Sequence, residues 1–319
     1  MNTLVVVPSE IPRAWLASLD HHPGLELALG LDTLAPARWA EVVGLLSLLT
    51  LPVDAALLDR LPGLRVVSNM AVGYDNVELA ACRARGIALG NTPGVLTDAT
   101  ADLTLALLLA AARRLDEAAA DARAGRWHTW SPDGWLGVEL RGATLGIVGM
   151  GKIGAAVAER ARAFGMKVIY VKRSAPVPAS TPAWAERVSL DELLARADFV
   201  SLHVPATPET RAMIDAAALA QMKPGAILIN TARGSVVDQD AVLHALRAGT
   251  LRAAALDVTS PEPLPPEHPL YTTPGCLILP HIGSATHTTR ARMAALACDN
   301  LLAGVEGRPL PHSVLAAGN

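Results

Sequence analysis

The chain has 319 residues, of which 51% are hydrophobic and 18% charged, and a formal net charge of −3. At about 150 residues per domain, that length predicts two domains, each able to bury its own core. The charge balance offers no basic field to gather counterions from a nucleic-acid backbone, which argues against nucleic-acid binding. Three widely spaced cysteines, Cys82, Cys276 and Cys298, include no CxxC pair. They fit neither a disulfide framework nor a thiolate zinc site, and point to a reducing, cytoplasmic setting.

The chain opens with an apolar run from Leu4 to Val7 ahead of Pro8, without a basic flank, and this reads as a strand rather than a signal peptide. Short runs rich in branched residues then recur with helical stretches between them, a β/α order. In the first third the pattern predicts strands at 3–7, 43–48, 65–68 and 87–89, with helices at 11–19, 54–61 and 77–85. A long helix over 98–124 follows without a loop, and its most apolar stretch, 103–112, is too short to span a bilayer, so no membrane insertion is expected. The middle predicts strands at 144–148, 167–171, 199–203, 226–230 and 253–256, helices at 152–164, 190–196, 215–221 and 238–248, a last strand at 277–279 and a helix at 284–302.

The fold class expected is α/β, with two doubly wound parallel-sheet domains, Rossmann-like and flavodoxin-like. The substrate domain is expected to be discontinuous, 1–98 plus 286–319, with a dinucleotide-binding domain over 99–285 inserted in it.

Gly149-Met150-Gly151-Lys152-Ile153-Gly154 is a G-x-G-x-x-G pattern between a predicted strand and a predicted helix. There the glycines permit a tight turn, close approach of a pyrophosphate and close helix-on-strand packing, while the helix N-terminus supplies free N–H groups near Lys152 and Ile153. The second strand of the unit ends in Lys172-Arg173-Ser174, where an NAD-binding unit carries an acid. An ammonium, a guanidinium and a hydroxyl suit a 2′-phosphate, so NADPH is expected in preference to NADH, with NADH possible. A solvated basic turn is the alternative for these three residues.

Polar residues cluster at later strand ends: Asn230-Thr231-Ala232-Arg233-Gly234, Asp257 through Glu262, and His281-Ile282-Gly283. The carboxyl ends of parallel strands are where open α/β sheets bind ligands. A fixed cation, a carboxylate and an imidazole form a set for carbonyl reduction, in which one orients, one tunes and one transfers the proton. Taken singly, Arg233 reads as a surface ion pair, Glu262 as a loop carboxylate and His281 as a core histidine. The other histidines have no ligand spacing, and no catalytic metal is expected.

Together with Ala71-Val72-Gly73-Tyr74-Asp75, Asn91-Thr92-Pro93-Gly94, SLHVPATPET at 201–210, NTARGSVVDQDA at 230–241, ALDVTSPEPLP at 255–265 and LPHIGSAT at 279–286, these motifs resemble the D-2-hydroxyacid dehydrogenases over nearly the whole chain. Within them the resemblance is to the glyoxylate/hydroxypyruvate reductases. It implies reduction of a small 2-oxo acid, glyoxylate to glycolate or hydroxypyruvate to D-glycerate. Arg233 would bind the carboxylate and keto oxygen, His281 would be the general acid, and Glu262 would support its imidazolium. Val72 and Gly73 would offer backbone N–H groups to the substrate carboxylate. Asp257 would hold the nicotinamide carboxamide, and Thr100, Pro205, Thr210, Thr231 and Gly283 would line the cofactor groove beside Arg233 and His281.

Trp127, Trp130 and Trp135 stand close together in a chain that is only 3% aromatic. They read as a core or interface anchor, and the resemblance implies a homodimer in which Trp130 reaches the neighbouring subunit's substrate pocket. The same fold also serves dehydrogenases of other D-2-hydroxy acids, formate and phosphite, and nucleotide-sensing corepressor-like binding proteins.

Overall fold

The computed structural model describes residues 2–172 and 181–315. The chain divides into two compact units, Met1–Leu96 with Ala285–Asn319, and Thr97–Ser284. The first holds a five-stranded sheet of β1 (Thr3–Val7), β2 (Leu25–Leu29), β3 (Val42–Ser47), β4 (Val66–Asn69) and β5 (Ala88–Gly90), in the order β2-β1-β3-β4-β5. Every pairing in it is parallel.

The second unit holds seven strands: β6 (Thr144–Val148), β7 (Lys167–Val171), β8 (Glu186–Arg187), β9 (Phe199–Leu202), β10 (Ala226–Asn230), β11 (Leu251–Leu256) and β12 (Cys276–Ile278). Their order is β12-β11-β10-β9-β6-β7-β8, again with parallel pairings. Alternation along β10 shows how both faces are covered: Ile227 and Ile229 join one buried cluster, with Leu107, Leu108 and Val157, while Leu228 joins the other, with Leu194 and Val242.

Helix starts follow local chemistry. Asp54, Ser189, Asp215, Asp238 and Thr286 each accept a backbone N–H of the first turn with a side-chain oxygen, and Ser189 with Glu192 forms a full capping box. The helix His287–Val305 lies directly on the small sheet. A Cβ on Gly304 would fall 2.5 Å from Val66, and Ser68 Oγ donates to the Ala297 carbonyl at 2.7 Å.

Three sequence expectations need correction. The stretch 98–124 is not one helix but two, Thr97–Ala112 and Leu115–Arg123. The break has a cause: the returning chain at Val138 donates its N–H to the Ala112 carbonyl at 2.9 Å, and Arg114 sits in the left-handed region at φ 53°. Strands β2 and β8 are absent from the sequence prediction, since both lie at sheet edges and carry polar residues that blur the hydrophobic pattern. The stretch 11–19 forms a short 3-10 turn, Arg13–Leu16, followed by one helical turn, Ala17–Asp20.

Candidate active site

The glycine fingerprint connects β6 to the helix Lys152–Ala163, and its glycines do three different things. Gly149 turns the chain at φ +102°, and a Cβ there would lie 2.5 Å from the His203 carbonyl oxygen. Gly154 lets the helix approach the turn, since its Cβ would fall 2.3 Å from the Gly149 oxygen. Around Gly151 a Cβ would meet nothing within 4 Å, and no side chain caps this helix start. The open space and uncapped N–H groups, with the positive end of the helix dipole, suit a dinucleotide pyrophosphate. Lys152 and Ile153 occupy the first helical positions.

Lys172 follows β7, and its carbonyl accepts from the Arg187 guanidinium at 2.7 Å. Arg173 and Ser174 lie outside the described residues. The structure brings Pro205 and Thr210 together, the threonine hydroxyl donating to the Pro205 carbonyl at 2.7 Å. Thr104 likewise links Thr100 and Thr231, donating to the Thr100 carbonyl at 2.8 Å and lying 3.0 Å from the Thr231 hydroxyl. Gly283 packs beside Thr100, where a Cβ would be 3.5 Å from the threonine methyl.

Three strand ends carry the candidate catalytic set. After β10, the buried Asn230 closes the Arg233 loop with both ends of its amide: its nitrogen donates to the Arg233 carbonyl at 2.9 Å and its oxygen accepts from the Ala232 N–H at 3.0 Å. Gly234 then presses against the loop that follows β11, where a Cβ would come within 2.0 Å of the Thr259 carbonyl. Any side chain here would part the two loops.

Asp257, at the end of β11, is only 1% exposed. Its carboxylate accepts the N–H groups of Ile282 at 2.7 Å and Gly283 at 2.8 Å, and its carbonyl accepts from His281 N–H at 2.9 Å. These three bonds hold His281 in the left-handed region at φ 54°. Burial pushes the Asp257 carboxyl up, although the two N–H bonds and the charge of His281 pull against it.

Glu262 Oε1 lies 2.5 Å from His281 Nδ1, leaving Nε2 as the ring nitrogen available to a ligand. Burial raises the Glu262 carboxyl, but the His281 bond and charge, the Thr259 N–H and the charge of Arg233 outweigh it and bring it below the usual carboxylate range. Glu262 is therefore ionised at neutral pH. A carboxylate bonded to Nδ1 fixes the orientation of the ring. Gln239 was not singled out in the sequence, yet it clamps the loop: its amide donates to the Ser260 carbonyl at 2.6 Å and accepts the Ser260 N–H at 2.8 Å.

Elsewhere in this unit, burial holds His203 down at about 4, with Ser201 Oγ 2.8 Å from its Nε2. Trp130 is 78% exposed, and Trp135 donates to Asp121 at 2.9 Å. Burial pushes the Cys276 thiol up to about 12 and that of Cys298 to about 11, which leaves both unreactive at neutral pH. Among the described residues, no group of three or more His, Cys, Asp or Glu is placed to hold a metal ion. No helix among them is long and apolar enough to cross a membrane. In the smaller unit, the turn at Val72 and Gly73 follows β4, with its carbonyls held by Asn91 and Asn69.

The profile of the D-isomer specific 2-hydroxyacid dehydrogenase NAD binding domain matches residues 105–283, more than half of the chain. The chain belongs to this family. It is 45% identical over 321 residues to a glyoxylate reductase of Korarchaeum cryptofilum, covering 98% of this chain and 96% of that one. A solved structure from Thermus thermophilus shares 51% identity with a TM-score of 0.89, covering 98% of this chain and 100% of the other. An NADPH-dependent glyoxylate/hydroxypyruvate reductase from Sinorhizobium meliloti, solved with NADP and malonate, shares 33% identity with a TM-score of 0.86, covering 99% of this chain and 97% of that one. This 2-hydroxyacid dehydrogenase thus has two parallel-sheet α/β units and a fingerprint fitted to a nicotinamide dinucleotide.

Proposed function

We propose that this dehydrogenase reduces glyoxylate and hydroxypyruvate, with NADPH preferred over NADH and His281 as the general acid. The observation that carries the reading is the 2.5 Å contact between Glu262 and His281, on a histidine whose backbone Asp257 holds through three hydrogen bonds. Glyoxylate and hydroxypyruvate come from the names of the reductases to which the chain is similar.

Gly149, Gly151, Lys152, Ile153 and Gly154 would hold the pyrophosphate, with Thr100, Pro205, Thr210, Thr231 and Gly283 along the groove. Lys172, Arg173 and Ser174 would receive the 2′-phosphate. When bound, the reduced nicotinamide supplies a hydride to C2 of the 2-oxo acid. Arg233 pairs with the carboxylate and keto oxygen, orienting the carbonyl and drawing charge toward its oxygen. Protonated His281 gives its Nε2 proton to that oxygen as negative charge grows there, completing the 2-hydroxy acid. Glu262 stabilises the imidazolium before transfer and keeps Nε2 aimed. Val72 and Gly73 receive the substrate carboxylate on backbone N–H groups.

We further propose a homodimer. Leu115, Trp127, Trp130 and Leu136, within a short stretch after the helix Thr97–Ala112, are each more than half exposed, and aromatic anchors of this kind are enriched at interfaces. Trp130 of one subunit would then reach the other's substrate pocket.

Initial rates of reduction of glyoxylate and hydroxypyruvate with NADPH and NADH, and of oxidation of D-lactate and formate with NADP+ and NAD+, test the reading. The two named 2-oxo acids should be reduced fastest and with the higher kcat/KM on NADPH. Oxidation of formate or D-lactate in preference to reduction of glyoxylate would replace the substrate assignment. Equal kcat/KM for the two cofactors would remove the role given to Lys172, Arg173 and Ser174.

A further inference from the structure

We propose that Asn69 and Asn91 are positioning residues that aim a cradle of three successive backbone N–H groups, those of Val72, Gly73 and Tyr74, at the substrate carboxylate. The proposal deepens the reading given above and rests on its assignment of the Val72–Gly73 turn to that carboxylate.

In a trans peptide the C=O of one residue and the N–H of the next point in opposite directions, so fixing the oxygen fixes the aim of the following N–H. Three consecutive oxygens are fixed here. The Ala71 carbonyl accepts from the Thr92 N–H at 2.8 Å, the Val72 carbonyl from Asn91 Nδ2 at 2.9 Å and the Gly73 carbonyl from Asn69 Nδ2 at 2.9 Å. The N–H groups thereby directed are those of Val72, Gly73 and Tyr74. None of the three donates to another group among the described residues. Runs of successive uncommitted N–H groups are the backbone's own way of binding an anion.

The supports are themselves held. Asn69 is fully buried, and its oxygen accepts from Ser47 Oγ at 2.9 Å while its nitrogen also donates to Asn76 Oδ1 at 3.2 Å. Asn76 donates onward to the carbonyls of Leu48 at 3.1 Å and Leu51 at 3.0 Å, tying the turn to the loop after β3. Asn300, fully buried in the helix His287–Val305, donates to the Asn91 carbonyl at 2.9 Å and accepts the His312 N–H at 3.0 Å.

Each support is an amide. A carboxylate in any of these places would face a carbonyl oxygen with no proton to share, and would repel the incoming anion. A hydrocarbon would leave the carbonyl unanchored and the N–H free to turn. An amide donates to the carbonyl and adds no charge. The buried Thr92 hydroxyl has no partner among the described residues.

The test uses the full-length enzyme with NADPH, comparing wild type, Asn91→Asp and Asn91→Ala. Asn91 is only half-buried, so both variants are expected to fold, and their melting curves check this. Asn91→Asp should raise KM for glyoxylate by at least about tenfold, leave kcat within about threefold and leave KM for NADPH unchanged. Asn91→Ala should raise KM for glyoxylate less than Asn91→Asp does. That order distinguishes aiming from packing, because aspartate preserves the shape of asparagine and alanine does not. The proposal is overturned if both variants keep the wild-type KM for glyoxylate, if alanine is the worse substitution, or if the KM values for glyoxylate and NADPH rise together. Gly73→Pro, which removes one cradle donor, tests the carboxylate site separately from its positioning by Asn91. A normal KM for glyoxylate in a folded Gly73→Pro enzyme would remove the carboxylate site itself. A raised KM there with unaffected Asn91 variants would leave the site and remove only the aiming role.

Discussion

The loops of the two units are held in place by different chemistry. In the larger unit the His281 loop is fixed by carboxylates: Asp257 takes the N–H groups of Ile282 and Gly283, and Glu262 takes the imidazole. In the smaller unit the turn at Val72 and Gly73 is fixed by neutral amides, Asn69 and Asn91, with Asn76 and Asn300 behind them. Where a proton is to be given away, negative charge beside the donor stabilises its protonated form. Where only an anion is to be received, the same charge would drive it off. Fixed carboxylates and fixed amides are therefore not interchangeable between the two places, although either can anchor a backbone.

The largest effect is expected at His281. His281→Asn keeps one nitrogen that can be held by Glu262 but cannot deliver a proton. Loss of a positioned general acid costs about 10²–10⁴ in rate, so kcat for glyoxylate reduction should fall by that range with KM for NADPH little changed. A loss of less than about tenfold would place the acid elsewhere. Arg233→Lys probes the orienting cation next. Lysine retains the charge but lacks the planar fork, and a charge-assisted bond contributes about 1.5–3 kcal/mol, so kcat/KM should drop by at least about tenfold. Kinetics near the wild type would exclude a two-pronged grip.

His203 lies beside the fingerprint, and burial holds it down at about 4, so it stays neutral at physiological pH. The sign follows from linkage. The unfolded chain takes a proton on this histidine at about 6.5 and the folded protein resists it. Its contribution to stability is complete above about 6.5 and is lost as pH falls toward 4, on the order of 3 kcal/mol in all. Denaturant unfolding of the wild type and His203→Gln between pH 7 and 4 should show a shallower decline in the variant. Parallel declines would assign the acid sensitivity to other groups.

Much of this was legible in the sequence, for physical reasons. The fingerprint could be read because its glycines answer separate steric demands at Gly149 and Gly154 and leave space at Gly151. The central strands could be read because burial on both faces makes them continuously apolar, whereas Leu25–Leu29 and Glu186–Arg187 at the edges lack that signal. The break after Ala112 was not legible, since it depends on Val138 arriving from 26 positions later to take the carbonyl. Glu262 and His281 were named from their motifs, but the second task of Asp257, holding the histidine's backbone, shows only when the strand ends are side by side. Asn91 and Gln239 lie within the motifs and Asn69 just outside them, but their anchoring roles were not legible, because an asparagine or glutamine that anchors a functional turn has the same spacing as one that anchors any other.

Glu262 is proposed to act on the reaction through the charge it places against His281. The pH profile of kcat/KM for glyoxylate reduction, measured on the wild type and on Glu262→Gln, tests it most directly. Glutamine keeps the shape and an oxygen for Nδ1–H but removes the charge. The activity lost on the alkaline side should therefore disappear at lower pH in the variant than in the wild type. Superimposable alkaline limbs would contradict the account, because the carboxylate would then be holding the ring without stabilising its proton.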